Sequence, residues 1–321
     1  MSQSEAFKAV PVLAVVVPCF NEQDVLPGTI ETLGKVLGQL IERSVVAEDS
    51  FLCFVDDGSR DTSWDLIKNS GNHRVKGVKL SLNFGHQNAL LAGLLSVMDR
   101  CDAAISIDAD LQQDPWAMEA FIEKYVKGAD VVFGVRRDRA SDGIFKKLSA
   151  RAFYRLMQLM GVNIIPDHAD YRLLSRRAIG WLAQHKEPGL FLRAICMQLG
   201  LQTAIVHFDV SARMAGESKY SLSRMMSLGL NGITSFSVMP LRLIATLGVA
   251  IFFLSGILGF YVLWRTIFVG DVVPGWASTT LPIYFLGGIQ ILCLALIGEY
   301  VAQLLVTVKA RPRYLVEEEL F

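Results

Sequence analysis

Two long runs without charged side chains near the C-terminal end restrict what this chain can fold into. No Asp, Glu, Lys or Arg occurs from Leu243 to Trp264 or from Val272 to Gly298. As helices these runs would each span ~30–40 Å, enough for the hydrocarbon core of a bilayer. A buried helical hairpin in a soluble core is the alternative, but the runs are too long and too purely apolar to favour it. We predict two transmembrane helices, over about 241–266 and 278–305.

The flanking charges predict an orientation in the membrane. Arg242 precedes the first run and three basic residues follow the second, whereas the connecting loop has one charge of each sign. The positive-inside rule then places both chain ends in the cytoplasm. The polar start, Met1 to Lys8, is unlike a signal peptide, and the five cysteines have no metal or disulfide spacing, which suits a reducing compartment. The prediction is a multi-pass protein of the inner (cytoplasmic) membrane, with residues 1–220 and the tail 309–321 in the cytoplasm.

The first 220 residues alternate short apolar runs with helical patterns. Strands are predicted at Val12–Val17, Phe51–Val55, Val75–Leu80, Ala103–Ile107 and Asp130–Phe133. This alternation predicts an α/β domain with a mostly parallel, Rossmann-like sheet, which binds its ligand at the carboxyl ends of the strands. Neither a G-x-G-x-x-G nor a G-x-x-x-x-G-K-[ST] motif is present, so dinucleotide-binding and P-loop sites are disfavoured.

A pair of carboxylates follows the fourth predicted strand. Asp108 and Asp110 are two residues apart, so their side chains can point the same way at the end of a strand. Close carboxylates repel, and a divalent cation relieves that repulsion and can also take diphosphate oxygens. A solvated acidic turn is the alternative, but polar residues also follow the other predicted strands. Asp114-Pro115 predicts a helix start, and Asn21 is a candidate N-cap of the first helix.

Two segments mix apolar and basic residues at helical spacing. Residues 144–160 predict an amphipathic helix that lies in a membrane interface, or else an ordinary surface helix. Residues 221–240 predict a juxtamembrane helix that leads into the first apolar run. Between them, Arg213 and Lys219 belong to a basic, glycine-containing loop that could clamp a phosphate, with a salt-bridged loop as the alternative.

Five motifs taken together resemble a known family. They are Val17–Glu22, Val55–Ser59, Asn83–Gln87, Asp108–Gln112 and Arg213–Lys219. This set resembles the inverting family 2 glycosyltransferases of GT-A fold. With the two apolar runs, it is similar to the polyprenyl-phosphate glycosyltransferases: dolichol-phosphate mannose synthases, aminoarabinose-lipid transferases and, most of all, bactoprenol (undecaprenyl-phosphate) glucosyltransferases. Each motif alone is weak, but five in order over essentially the whole chain are specific.

The resemblance implies three sets of site residues. The nucleotide-sugar pocket would be lined by Pro18, Phe20, Asn21, Glu22, Asp57 and Asp108. A Mg²⁺ or Mn²⁺ ion would be held by Asp108, Asp110 and Gln112. The catalytic set would be Asp110, Asp170, Arg136, Arg213 and Lys219. The three basic residues of that set would hold the acceptor phosphate, and Asp170 would orient the sugar or assist deprotonation.

One departure from the wider family points to the acceptor. Family 2 enzymes that act on hydroxyl groups often carry a Glu-Asp or Asp-Asp base after the sheet, but the corresponding Pro188–Arg193 has no carboxylate, and the chain has no Gln-x-x-Arg-Trp. A hydroxyl nucleophile needs such a base. A phosphate monoester does not, because its second pKa is ~6 and it arrives as an anion. The missing base therefore favours a lipid-phosphate acceptor.

The expected activity is inverting transfer of a hexose, in the first place glucose, from a UDP-sugar to undecaprenyl phosphate for cell-envelope glycosylation. Transfer of mannose from GDP-mannose or of a UDP-amino-arabinose is the alternative, and a non-catalytic membrane scaffold with a GT-A domain is the alternative of another class. The expected partners are the nucleotide sugar, the polyprenyl phosphate, the bilayer and a separate flippase. Polar Gln290 and Glu299 in or near the membrane favour a homo-oligomer. No nucleic acid is expected.

Overall fold

The structure is a computed structural model. It describes residues 10–137, 168–185, 192–209, 276–309 and 311–321, with single residues between 244 and 268. The chain divides into two compact units. The larger joins Met1–Arg155, Asn163–Ser221 and Pro312–Phe321, and the smaller joins Leu156–Val162 and Leu222–Arg311.

The larger unit is an α/β domain. Its strands are β1 (Leu13–Cys19), β2 (Phe51–Asp56), β3 (Val75–Leu80), β4 (Ala103–Ser106), β5 (Val131–Arg136), β6 (His168–Ser175), β7 (Thr203–Phe208) and β8 (Val316–Leu320). Its described helices are α1 (Leu26–Glu42), α2 (Ser63–Lys68), α3 (His86–Val97), α4 (Met118–Val126), α5 (Arg176–Gln184) and α6 (Leu192–Gln198). In the smaller unit, helix α7 covers Trp276–Lys309.

The strands form one sheet in the order β7-β5-β6-β4-β1-β2-β3-β8. β1 lies parallel to both β2 and β4, and every residue of these three strands is buried. Such continuous apolar strands are typical of parallel sheets that are covered on both faces. The predicted mostly parallel α/β fold is confirmed, and the five predicted strands are present. The carboxyl ends of β1, β2 and β4 lie at one edge, because Cys19 is in register with Asp56 and Val16 with Ser106.

Three strands were not predicted. β6 runs antiparallel to both β4 and β5, and it inserts between them. β7 pairs parallel with β5, and β8 pairs antiparallel with β3. In β6 and β8 polar residues interrupt the apolar pattern, so neither resembles a buried strand in the sequence.

Strand β8 lies in the segment that was predicted as a tail, 309–321. It instead belongs to the same compact unit as the sheet, which extends the domain beyond the predicted range of 1–220. Its three consecutive glutamates are poor strand formers, and each has a partner on a neighbouring element. The pairs are Glu317 with Lys79 (3.2 Å), Glu318 with Lys68 (2.7 Å) and with Trp64 Nε1 (3.1 Å), and Glu319 with Ser96 (3.2 Å).

Helix α7 contains the second predicted span, 278–305. Among the described residues, one stretch, Ile289–Lys309, is long and apolar enough to cross a membrane, by length and composition. Most of the first predicted span, 241–266, lies outside the described residues, and so do the predicted helices at 144–160 and 221–240. The two-helix hairpin therefore stays a prediction.

Replacing Glu318 by alanine is expected to lower the thermal unfolding temperature by a few degrees. The Trp64 side chain is 8% exposed, and the variant removes the acceptor of its indole N–H, which is unfavourable for a buried donor. Glu318→Gln keeps an acceptor and should recover most of the loss, while exposed Glu48→Ala serves as the control. Differential scanning fluorimetry measures the unfolding temperatures of all three variants. A Glu318→Ala protein that unfolds at the wild-type temperature would contradict the packing of β8 on the sheet.

Candidate active site

The loops after β1 and β2 are joined by hydrogen bonds that involve Asn21. Its backbone N–H donates to Ser59 Oγ (2.9 Å), and its side-chain oxygen accepts from the backbone N–H of Arg60 (2.9 Å). Asn21 adopts a left-handed conformation with φ 53°, which asparagine tolerates. The prediction of Asn21 as an N-cap is wrong, since α1 begins at Leu26 after Val25 and the Asn21 side chain is used between the loops.

The other residues predicted for the nucleotide-sugar pocket lie at the same edge. Pro18 is buried within β1, and Phe20 and Glu22 are half-buried in the loop that follows. The backbone N–H of Asp57 donates to the carbonyl of Cys19 (2.9 Å), which keeps the two strand ends adjacent. The structure therefore brings these residues together, and their contacts with a nucleotide stay a prediction.

The two carboxylates at the end of β2 are buried and have different partners. Asp57 accepts the backbone N–H groups of Phe84 (2.8 Å) and Gly85 (2.9 Å), one on each oxygen. Asp56 accepts from the backbone N–H of Ser59 (3.2 Å) through one oxygen, and its other oxygen is buried without a hydrogen bond. Burial raises the pKa of both carboxyl groups. Asp57 thus holds the loop before α3, a role that the sequence did not predict.

The end of β4 carries Asp108 and Asp110 on a tight, supported turn. Buried Gln113 accepts from the backbone N–H of Asp108 (3.0 Å) and donates to Asp108 Oδ2 (2.5 Å). Asp110 Oδ1 accepts from the backbone N–H of Gln112 (3.3 Å). Leu111 between them has φ 48°, a conformation that costs about 1–3 kcal/mol for a residue other than glycine. Gln113 orients Asp108, and sequence reasoning missed it.

A third carboxylate reaches this site from β6. Asp170 Oδ1 pairs with the guanidinium of Arg172, which is 1% exposed, and Ser106 Oγ donates to the Asp170 carbonyl (2.6 Å). His86 Nε2 lies 3.7 Å from Asp170 Oδ2 and 3.7 Å from Asp108 Oδ1. The structure therefore places Asp170 near Asp108 and adds His86 and Arg172 to the site, while the predicted catalytic role of Asp170 stays a prediction. The antiparallel insertion of β6, which brings them there, leaves no periodic signal in the sequence.

Burial and neighbouring charges both affect the pKa of Asp108. Burial raises the pKa of its carboxyl group, and the nearby carboxylates of Asp170 and Asp110 act in the same direction. His86 and the hydrogen bond from Gln113 oppose them. The site thus concentrates negative charge at the carboxyl edge of the sheet.

The chemistry of these groups fits a hard divalent cation. Asp108 and Asp110 supply carboxylate oxygens and Gln112 an amide oxygen, the ligand types that Mg²⁺ and Mn²⁺ prefer. In the part of the chain that the structure describes, no three His, Cys, Asp or Glu side chains are arranged as a ready metal site. A cation here would therefore need oxygens from the substrate or water as well.

Of the predicted phosphate-binding residues, the structure describes one. Arg136 is half-buried at the carboxyl end of β5. Arg213 and Lys219 fall in 210–243, outside the described residues.

Comparison with known proteins identifies the class. Residues 14–181 match the model of glycosyl transferase family 2. An uncharacterized glycosyltransferase of Bacillus subtilis, YkoT, is 45% identical over 97% of this chain and 93% of its own. Bactoprenol glucosyl transferase of Shigella phage SfX is 34% identical over 95% of this chain and 98% of its own. The chain belongs to glycosyl transferase family 2, and it is a glycosyltransferase.

A solved structure supports the fold. Glucosyl-3-phosphoglycerate synthase from Mycobacterium tuberculosis, in complex with Mn²⁺, UDP and phosphoglyceric acid, superposes with a TM-score of 0.50 at 19% identity, over 72% of this chain and 79% of that one. The likeness agrees with the GT-A α/β architecture.

Replacing Asp108 by asparagine is expected to raise the unfolding temperature of the protein without nucleotide or metal. A carboxyl group whose pKa is raised on folding destabilises the native state when ionised. That cost is present above the folded pKa and disappears as the pH falls through it. The stability difference between variant and wild type should thus be largest at about pH 8 and shrink toward about pH 4.

Differential scanning fluorimetry in EDTA across this pH range makes the comparison, with exposed Asp65→Asn as control. Because Asp108 is a predicted metal ligand, turnover of the same variant is also expected to fall roughly 100-fold or more. An Asp108→Asn protein that is less stable than wild type at about pH 8 would contradict the electrostatic description of the site.

Proposed function

We propose that this enzyme transfers a hexose, in the first place glucose, from a UDP-sugar to undecaprenyl phosphate at the cytoplasmic membrane face. The observation that carries the proposal is the cluster of Asp108, Asp110 and Asp170 beside the loops of the predicted nucleotide pocket. The relatives named bactoprenol glucosyl transferase, which align along nearly the whole chain, support the lipid acceptor.

The protein orients the side chains that would bind the donor and its metal ion. Gln113 holds Asp108, and the strained turn at Leu111 directs Asp110. These two aspartates, with Gln112, would hold Mg²⁺ or Mn²⁺. When bound, such a cation offsets the negative charge that develops on the leaving diphosphate. The nucleotide would bind against Pro18, Phe20, Asn21, Glu22 and Asp57.

The acceptor supplies its own negative charge. An oxygen of the acceptor phosphate attacks C1 of the sugar, while the bond from C1 to the diphosphate breaks and its electron pair leaves with UDP. Attack opposite the leaving group inverts the configuration at C1. Arg136, Arg213 and Lys219 would hold the phosphate for this attack, and positioning supplies most of the acceleration. One oxygen of Asp170 is paired with Arg172, which favours a role in orienting the sugar.

The membrane assignment rests on the apolar C-terminal part of the chain. Helix α7 exposes large apolar side chains such as Ile291 and Leu294, which are 71% and 67% exposed. A contiguous apolar surface of this kind needs lipid or another protein to cover it. We infer a multi-pass protein of the inner membrane with both ends in the cytoplasm, assembled as a homo-oligomer and working with a separate flippase.

The direct test uses the full chain, purified and reconstituted with undecaprenyl phosphate and Mg²⁺. UDP-glucose, GDP-mannose and a UDP-amino-arabinose are supplied separately, and mass spectrometry of the lipid fraction identifies the product. The proposal expects a lipid-linked hexose from UDP-glucose and none from folded Asp110→Ala. Transfer from another donor only would favour the corresponding alternative. The non-catalytic scaffold would be favoured if no donor gives transfer and if cells that carry Asp110→Ala keep the function of the wild-type protein.

Arg136→Ala is expected to raise the KM for the lipid phosphate about tenfold or more and to leave the KM for the donor unchanged. Loss of a hydrogen bond to a charged group costs about 1.5–3 kcal/mol, which corresponds to at least tenfold in affinity. Neighbouring Arg137 is exposed and lies 3.6 Å from Asp209, so Arg137→Ala is the matched control. Equal effects of the two variants on both KM values would contradict the assignment of Arg136.

A further inference from the structure

The motif Asn83–Gln87 contains His86, which has no role in the transfer reaction described above. The motif precedes and opens α3, and His86 is the first residue of that helix. Buried Asp57 binds the backbone N–H groups of Phe84 and Gly85, and Asn88 Nδ2 donates to the Phe84 carbonyl (2.8 Å). Gly85 has φ 91°, so the chain turns sharply before the helix. The backbone that carries His86 is therefore held at several points.

The imidazole of His86 lies between two carboxylates from different strands. Its Nε2 atom is 3.7 Å from Asp108 Oδ1 and 3.7 Å from Asp170 Oδ2. The other oxygens of these carboxylates are taken, since Asp108 Oδ2 accepts from Gln113 and Asp170 Oδ1 pairs with Arg172. His86 thus faces Asp108 Oδ1 and Asp170 Oδ2, the oxygens that Gln113 and Arg172 do not contact in these pairs.

We propose that His86 is a positioning residue that bridges Asp108 and Asp170 and fixes the gap between them where the donor sugar reacts. The role rests on the proposed function, because it assigns His86 to the same transfer reaction. At 3.7 Å from each oxygen, Nε2 lies just beyond hydrogen-bond distance of both carboxylates. A small shift of the ring brings an N–H on Nε2 within reach of either one, between two groups of like charge. Without the imidazole, the like charges of Asp108 and Asp170 repel each other more strongly, and the repulsion displaces both side chains.

A purely structural role makes a different prediction. A histidine that only packs at the start of α3 would affect stability, and any residue of similar shape would replace it. A bridging histidine needs a donor atom at Nε2. Its side chain is 43% exposed, so its removal should disturb the orientation of the carboxylates more than the folding of the domain.

Steady-state kinetics separates these roles. His86→Phe keeps the ring shape without a donor, and its kcat should fall about tenfold or more while the donor KM changes less than about threefold. His86→Gln places an amide N–H near the position of Nε2 and should recover much of the loss. His73→Ala, an exposed histidine on the same domain, is the control. In an Asp170→Asn background, His86→Phe should have a much smaller effect, because bridged residues are not additive.

Nuclear magnetic resonance of protein labelled with ¹⁵N-histidine tests the bridge without turnover. The Nε2 signal of His86, assigned by its absence in His86→Phe, should shift in both Asp108→Asn and Asp170→Asn but not in exposed Asp65→Asn. Wild-type protein that transfers no sugar would refute the proposed function, and the resonance shifts would still report on the bridge. Wild-type kcat in His86→Phe, failure of glutamine to rescue, or unshifted Nε2 signals would overturn the role of His86.

Discussion

The parallel pairing of β1 with β2 and β4 is the constraint on which the rest of the structure depends. These strands are buried on both faces, so their registers are set by packing and their carboxyl ends must meet at one edge. Whatever follows those ends is therefore gathered into one place. Here the following residues are carboxylates, and the sheet forces together charges that would otherwise separate.

Hydrogen-bond donors around the site hold these carboxylates in place. Three of these carboxylates have fixed hydrogen-bond donors: two backbone N–H groups for Asp57, Gln113 for Asp108 and a buried guanidinium for Asp170. Donors of this kind hold the oxygens in place, but they leave the pKa of Asp108 raised. In the proposed function, such a site would be preorganised for a cation and a diphosphate. The unfavourable electrostatics of the site without these ligands would then be offset when they bind.

The sequence was sufficient for the parts of the fold that repeat a simple pattern. Val12–Val17 and Phe51–Val55 are short, β-branched or aromatic runs with polar ends, and these predict buried strands and a ligand edge. Strand β6 was not predicted, because its residues reach the site by antiparallel insertion between β4 and β5. Asp170 could be named only from a resemblance. Gln113 received no role because its contact with Asp108 depends on the shape of a local turn, and His86 received none because the nearby carboxylates are distant in sequence. Strand β8 was not predicted, because its three glutamates depend on partners that are distant in sequence, such as Trp64 and Lys79.

In the proposed reaction the nucleophile arrives already charged, and the site works without a general base. The most direct measurement compares undecaprenyl phosphate with undecaprenol, the same lipid with a hydroxyl group, as acceptors for the reconstituted enzyme with UDP-glucose and Mg²⁺. The expected result is a lipid-linked glucosyl phosphate of inverted configuration from undecaprenyl phosphate and no product from undecaprenol. Glucosylation of undecaprenol at a comparable rate would contradict it.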